Sequence, residues 1–278
     1  MNENETHCLS LLRDADRDRY ISVLYAPEGK RGPLAALFAF NAEVARIRDI
    51  VHDPLPGEVR LQWWRDLING EARGSAEASP VAAALMDAIK NYDLPRQAFD
   101  NYCEARIFDL YDDPMPDRSH LEGYCGETAS VMMQLAGLIL DRDAAQAYSD
   151  AFGHAGVAQA VTGFLRLLPI HRQRGQVYVP ADMMRAVGVT REEFLSNQDR
   201  SSHERVIRVM IAFAHEHFDL YAKAKVDLPK TLKPAFLPMA LVPAYLKAIE
   251  QLGADAASRV ADFSAIRKQW LLLRAAFN

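Results

Sequence analysis

The chain is poor in cysteine, with only Cys8, Cys103 and Cys125 among its 278 residues, widely spaced and without a Cys-x-x-Cys pair. An odd, scattered set of this kind points to neither a disulfide framework nor a zinc site, so the three read as reduced thiols in the core or on the surface. Long apolar runs are also missing. The best of them, 131–140, falls well short of the roughly 20 residues a membrane-spanning helix needs. The opening Met1-Asn2-Glu3-Asn4-Glu5 is acidic and lacks the basic and apolar parts of a secretory leader, which sets the expectation of a cytoplasmic protein. There is no excess of basic residues, the formal net charge being -5, and no reader motif, so no nucleic-acid partner is expected. No strand, glycine-rich turn and helix follow one another as in dinucleotide and P-loop sites, and no serine sits in a nucleophile elbow.

What is present is the composition of a globular protein with a sizeable core, 50% apolar and 25% charged. Without repeats, low-complexity tracts or a long linker, residues 1–278 read as one domain. The periodicity is helical nearly throughout. Leu34, Leu37, Phe38, Val44 and Ala45 share one stripe, as do Val206, Val209, Met210, Phe213, His217 and Leu220. Breakers at 27–33, 54–57, 70–80, 112–116, 174–180 and 228–234 divide the helices. The pattern predicts helices over 31–50, 57–70, 80–91, 95–111, 117–140, 142–168, 202–226, 232–252 and 263–277, with short turns at 181–195. Thr190 before Glu193 has capping-box spacing. The fold class is all-α.

Two stretches carry the chemistry. Phe40-Asn41-Ala42-Glu43-Val44-Ala45-Arg46-Ile47-Arg48-Asp49 and the run from Gln159 through Arg166, Leu167, His171, Arg172, Arg174 and Gly175 to Pro180 resemble the two signature helices of the squalene/phytoene synthase family. Residues 20–27 with Lys30-Arg31, Leu37-Phe38-Ala39-Phe40, Leu121-Glu122-Gly123-Tyr124-Cys125 and the 267–270 segment extend the similarity over most of the chain. The resemblance implies an isoprenoid-synthase-type helical bundle around a central cavity. In that family each signature helix carries aspartates that hold magnesium for a prenyl diphosphate, because a hard cation needs oxygen ligands gathered on one helical face. Here the Asp-Asp-x-x-Asp positions fall on Ala45, Arg46, Ile47, Arg48 and Asp49, and the second motif falls on Leu167 and His171 behind Arg166. Ser130, Met132 and Met133 stand where the family prefers small residues along the prenyl pocket, and the methionines are expected to narrow it.

The runs Phe40-Asn41-Ala42-Glu43, Gln62-Trp63-Trp64-Arg65 and 165–171 are similar to the branch of this family that assists assembly of respiratory complex I. That likeness implies a non-catalytic assembly or scaffold protein without a cofactor. Its partner would be a complex I assembly intermediate, and it would lie in the cytoplasm with peripheral contact to the inner membrane. The alternative is a transferase joining prenyl diphosphates head to head, which would need Mg2+. If the signature helices face each other as in the family, Arg46, Arg48, Arg166, His171, Arg172 and Arg174 form a cationic cluster, with Asp49 and Tyr178 beside it. Such a cluster would bind a diphosphate, an isoprenoid or anionic lipid, or an acidic segment directly, since arginine grips phosphate through paired hydrogen bonds. Ion pairing with Glu43, Asp49 and other acids, or plain exposure to solvent, is the competing reading.

Three further features have bland readings. His215 and His217 fall on different faces of a helix and make no metal pair. Asp109, Asp112 and Asp113 with Glu104 read as a capped, solvated helix end. Trp63 and Trp64 offer a partner surface if exposed, with at least one expected in the core.

Overall fold

The computed structural model describes residues 1–71, 79–196 and 199–277, and among these there is no strand. The α-helices of the first half are α1 (Glu3–Ala15), α2 (Arg17–Leu24), α3 (Glu28–Ala45), α4 (Ile47–Ile50), α5 (Pro54–Asn69), α6 (Pro80–Asn91), α7 (Arg96–Ala105), α8 (Arg118–Cys125) and α9 (Val131–Leu140). Those of the second half are α10 (Arg142–Ala147), α11 (Ser149–Arg166), α12 (Leu168–Gln173), α13 (Ala181–Ala186), α14 (Arg191–Leu195), α15 (Arg200–Ala224), α16 (Lys233–Phe236), α17 (Val242–Leu252) and α18 (Ala265–Phe277). Most of the predicted break at 70–80 lies outside the described residues.

The all-α expectation is met, and the differences lie at breaks and ends. Helices α1 and α2 were not expected. Their sequences are mostly polar, yet Asn2 and Glu5 close a reciprocal capping box, and the one-sided pair Cys8 and Leu12 is fully buried. The predicted helix 142–168 is interrupted at Tyr148 and Leu167. Pro169, in the first turn of α12, cannot donate to the carbonyl of Leu165, so the long helix cannot run on. The predicted helix 31–50 likewise stops at Ala45 and restarts at Ile47. Helix 117–140 carries a π-helical turn at Gly126–Ser130, a local insertion that recurs at functional sites.

Helix α11 runs along α15 and touches α8, α9 and α17, so it forms the axis of the bundle, while α1 and α3 pack on α6 and α3 reaches α9. One continuous cluster of buried apolar side chains extends from Cys8 to Ala261. The three cysteines are free and lie within it. Burial pushes the Cys8 and Cys103 thiols up to about 12, so neither supplies a thiolate near neutral pH. Met132 and Met133 are also buried there and do not line the cavity described below. A second small core of Leu237, Leu241, Tyr245 and Leu272 fastens α18 to the bundle.

One segment departs from the expectation about apolar length. Residues Lys230–Ala257 are long and apolar enough to cross a membrane, but 72% of their most apolar window is buried inside the fold. The segment is broken into short helices and walls the bundle's cavity through Pro238, Leu241, Val242 and Tyr245.

Candidate functional site

A cavity of about 570 Å³ opens between the ends of the two signature segments. The end of α3 and the short α4 supply Arg46, Arg48 and Asp49. The end of α11 and the start of α12 supply Gln159, Arg166 and His171, and the following turn adds Arg174, Gln176 and Tyr178. Gly175 reverses the chain there with φ at 73°, a conformation open to glycine at little cost. The reversal lets Gln176 and Tyr178 turn back under the cavity.

The floor is a buried polar network centred on Asp109, which is only 7% exposed. Tyr178 donates to Asp109 Oδ1 at 2.7 Å, Tyr124 donates to the same oxygen, and Arg106 donates to Oδ2 at 2.9 Å. Gln176 donates to the Tyr178 hydroxyl at 2.8 Å. The reading of Asp109 as a solvated helix end is therefore wrong. Residues Arg106–Leu110 form a 3-10 turn that points Asp109 inward, while Asp112 and Asp113 stay exposed. Sequence reasoning missed Arg106 and Tyr124 as well. The spacing of Arg106 and Asp109, three residues apart, was the available signal. Above the network the rings of Phe164 and Tyr178 stack at 4.2 Å, and His171 meets Tyr178 edge-on at 4.9 Å.

Of the predicted residues, Arg46, Arg48, Asp49, Arg166, His171, Arg174 and Tyr178 all border this cavity. Arg172 does not. It turns toward α14 and donates to the carbonyls of Phe194 at 2.9 Å, Ser196 at 2.8 Å and Ala257 at 2.6 Å. That corrects its assignment to the ligand cluster, because a guanidinium that donates to three or more carbonyls is tying chain segments together. His171 is in the cavity wall but is not a cation at neutral pH. Burial, reinforced by Arg174, pushes its pKa down to about 4, although Asp109 acts in the opposite sense. Asp49 pairs with Arg174 at 2.6 Å, and Arg48 pairs with Asp112 at 3.4 Å. The competing ion-pair reading thus holds for these two arginines in part. Arg166 lies 3.8 Å over the ring of Tyr245.

Six arginines, Arg19, Arg46, Arg48, Arg106, Arg166 and Arg174, line the cavity against four aspartates, and no lysine or glutamate contributes. In a chain of net charge -5, this is a locally cationic chamber. Among the described residues, five of the six buried side-chain polar atoms without a hydrogen-bond partner belong to its lining, Arg48 Nε, Arg106 Nε, Arg166 Nε, Gln159 Oε1 and His171 Nδ1, and the sixth, Arg191 Nε, lies outside it. Unsatisfied donors in such a place favour an anionic occupant.

The same residues do not fit a magnesium cluster. Asp16 accepts from Arg19, Asp18 from Tyr245, Asp49 from Arg174, and Asp109 from Arg106 and two tyrosines. Among the described residues no three His, Cys, Asp or Glu side chains gather for a metal. Elsewhere, His217 is buried and meets His154 at 3.2 Å and Glu122 at 3.2 Å, while His215 is exposed, in agreement with their different faces. Trp64 is buried at 4% exposure against Phe40, and Trp63 is 38% exposed.

An all-α bundle with paired signature segments around a central cavity is the architecture of the isoprenoid synthases, and the family profile of squalene/phytoene synthase matches residues 12–273. The chain belongs to the squalene/phytoene synthase family. It is 31% identical over 252 residues to the NADH dehydrogenase (ubiquinone) complex I assembly factor 6 of Bos taurus, covering 90% of this chain and 75% of that one. It is 27% identical over 175 residues to a presqualene diphosphate synthase of Rhodopseudomonas palustris, covering 62% and 61% of the two chains. In structure it is similar to a dehydrosqualene synthase, with a TM-score of 0.80 at 17% identity over 98% of this chain and 95% of that one.

Proposed function

We propose that this chain is an assembly protein for respiratory complex I, built on a synthase scaffold whose cavity takes an anionic group directly on arginine rather than through magnesium. The observation that carries this reading is the replacement of the metal-binding positions by Ala45, Arg46, Leu167 and His171, with Arg48 beside them and three arginine Nε atoms of the chamber unpartnered. Identity of 31% to proteins named as complex I assembly factors supports the biological half of the proposal. The partner is an assembly intermediate of that complex. The ligand is the phosphate-bearing head of an isoprenoid or anionic lipid, the chemistry that a bidentate guanidinium recognises.

The test has two arms. Deleting the gene in its own cells is expected to lower the amount of assembled complex I on native gels, with recovery when the chain is restored. The purified protein, mixed with farnesyl diphosphate and magnesium, is expected to release no diphosphate. Normal complex I in the deletion overturns the assembly role, and magnesium-dependent diphosphate release overturns the non-catalytic one.

A second reading is favoured by one observation, the survival of a cavity with a tyrosine and carboxylate floor in a chain related to a presqualene diphosphate synthase. On that reading the protein joins prenyl diphosphates head to head with Mg2+, and the second arm above decides for it.

A further inference from the structure

Helix α18 carries a largely exposed apolar stripe, in which Phe277 also meets the ring of Tyr25 edge-on at 6.4 Å. Ile266, Trp270, Leu273 and Phe277 are spaced by four, three and four residues, which places them on one face, and their exposures are 80%, 62%, 40% and 79%. The opposite face is the one that packs, through Leu272 against Leu237, Leu241 and Tyr245. The stripe is not an unavoidable by-product of length or composition. Alanine or glutamine at the same four positions would leave the second core untouched.

Charge around the stripe says what covers it. Helix α18 contains Arg267, Lys268 and Arg274 and no acidic residue, in a chain whose overall charge is negative. Lys268 is taken up by Asp262 at 2.7 Å. Arg267 and Arg274 are exposed beside the stripe, without an acidic partner among the described residues, and Arg267 rests on the ring of Phe263. Two copies of this helix placed face to face would confront cation with cation, with no acid in either to answer them. A surface of phosphates over hydrocarbon answers both features at once, since tryptophan and phenylalanine settle at the headgroup level and arginines beside them meet lipid phosphate. Among the described residues, the one segment apolar enough to span a bilayer is mostly buried inside the fold, whereas the α18 stripe is exposed.

We propose that α18 docks the protein on an anionic lipid bilayer, with Ile266, Trp270, Leu273 and Phe277 entering the headgroup region and Arg267 and Arg274 contacting lipid phosphates. The helix is fixed through Tyr245 to the wall of the arginine chamber, because Lys268 and Arg166 both lie against that ring. Docking through this face therefore holds the chamber at a set position relative to the lipid surface. The proposal does not depend on the assembly role.

Flotation of the full chain with vesicles tests it, using phosphatidylcholine alone and phosphatidylcholine with phosphatidylglycerol. The protein is expected to float with the anionic vesicles and to bind them about tenfold more weakly in high salt. An Ile266→Ser, Trp270→Ser variant is expected to stay at the bottom of the gradient while melting at the temperature of the parent protein, because both side chains are exposed. An Arg267→Glu, Arg274→Glu variant, which leaves the apolar stripe intact, is expected to weaken binding to anionic vesicles by about tenfold or more. Undiminished flotation of either variant, or equal flotation on both vesicle types, overturns the proposal. So does a self-association seen without vesicles and abolished by the serine variant, which would assign the stripe to a second copy.

Discussion

Individual side chains in the chamber have states that their types alone do not disclose. His171 stands at a position where the family holds an aspartate, yet its burial and the neighbouring Arg174 keep it neutral with a pKa of about 4 instead of 6.5. In the unfolded chain the imidazole takes up its proton near 6.5, and in the folded chain only near 4, so the unfolded state binds more protons between those values. Stability is therefore lost as pH falls from 6.5 to 4, by at most roughly 3 kcal/mol from this residue. Urea midpoints measured across that window are expected to fall with pH, and less steeply in a His171→Gln variant. Asp109 is held to a different role. Replacing it by asparagine leaves Arg106 as a buried charge without its carboxylate, and a loss of about 3 kcal/mol is expected in denaturant unfolding. A solvated helix-end aspartate would lose almost nothing in the same experiment.

At the level of elements, the bundle depends on a close approach between α11 and the π-helical turn before α9. A Cβ on Gly156 would sit 2.3 Å from Ser130 Cα and 2.4 Å from its amide nitrogen, which are backbone atoms that cannot swing aside. Gly156→Ala is expected to cost about 1–3 kcal/mol in thermal or chemical unfolding. Gly153→Ala, one turn earlier on the same helix and facing open space, is expected to be neutral or to stabilise by a few tenths of a kcal/mol. Helix positions were legible because their apolar periodicity is strong. The breaks at Arg46 and Leu167 were harder to read, because buried apolar residues three apart flank each of them, Val44 and Ile47 at one and Leu165 and Leu168 at the other. Helices α1 and α2 were missed for a related reason. Each buries only two residues, Cys8 and Leu12 in one and Ser22 and Val23 in the other, too few to stand out from a polar segment.

Across the whole molecule, the two signature segments border one cavity whose lining holds more arginines than aspartates. A synthase chamber needs a divalent metal to reconcile its carboxylates with a diphosphate, whereas this one presents six arginines and commits each of its aspartates to a neighbour. Inorganic pyrophosphate is therefore expected to raise the melting temperature without magnesium, by roughly 5 °C at a hundredfold excess over its dissociation constant. Arg48→Ala with Arg166→Ala is expected to abolish that shift. Arg172→Ala is expected to lower the melting temperature and leave the pyrophosphate shift intact, since its guanidinium serves the α12 to α14 connection.

The sequence by itself determined the helical class, the family and the loss of paired acids, because these are properties of periodicity and of residue identity at fixed spacing. Seven of the eight candidate site residues read from the two signature segments line one cavity. Only the tertiary structure decided which arginines face inward, that Asp109 with Arg106, Tyr124 and Tyr178 forms the floor, and that α18 leaves Trp270 and Phe277 uncovered. Periodicity gives the faces of a helix but not which neighbour each face meets. The direction of a guanidinium after a chain reversal, or the burial of a carboxylate, depends on contacts between segments far apart in sequence.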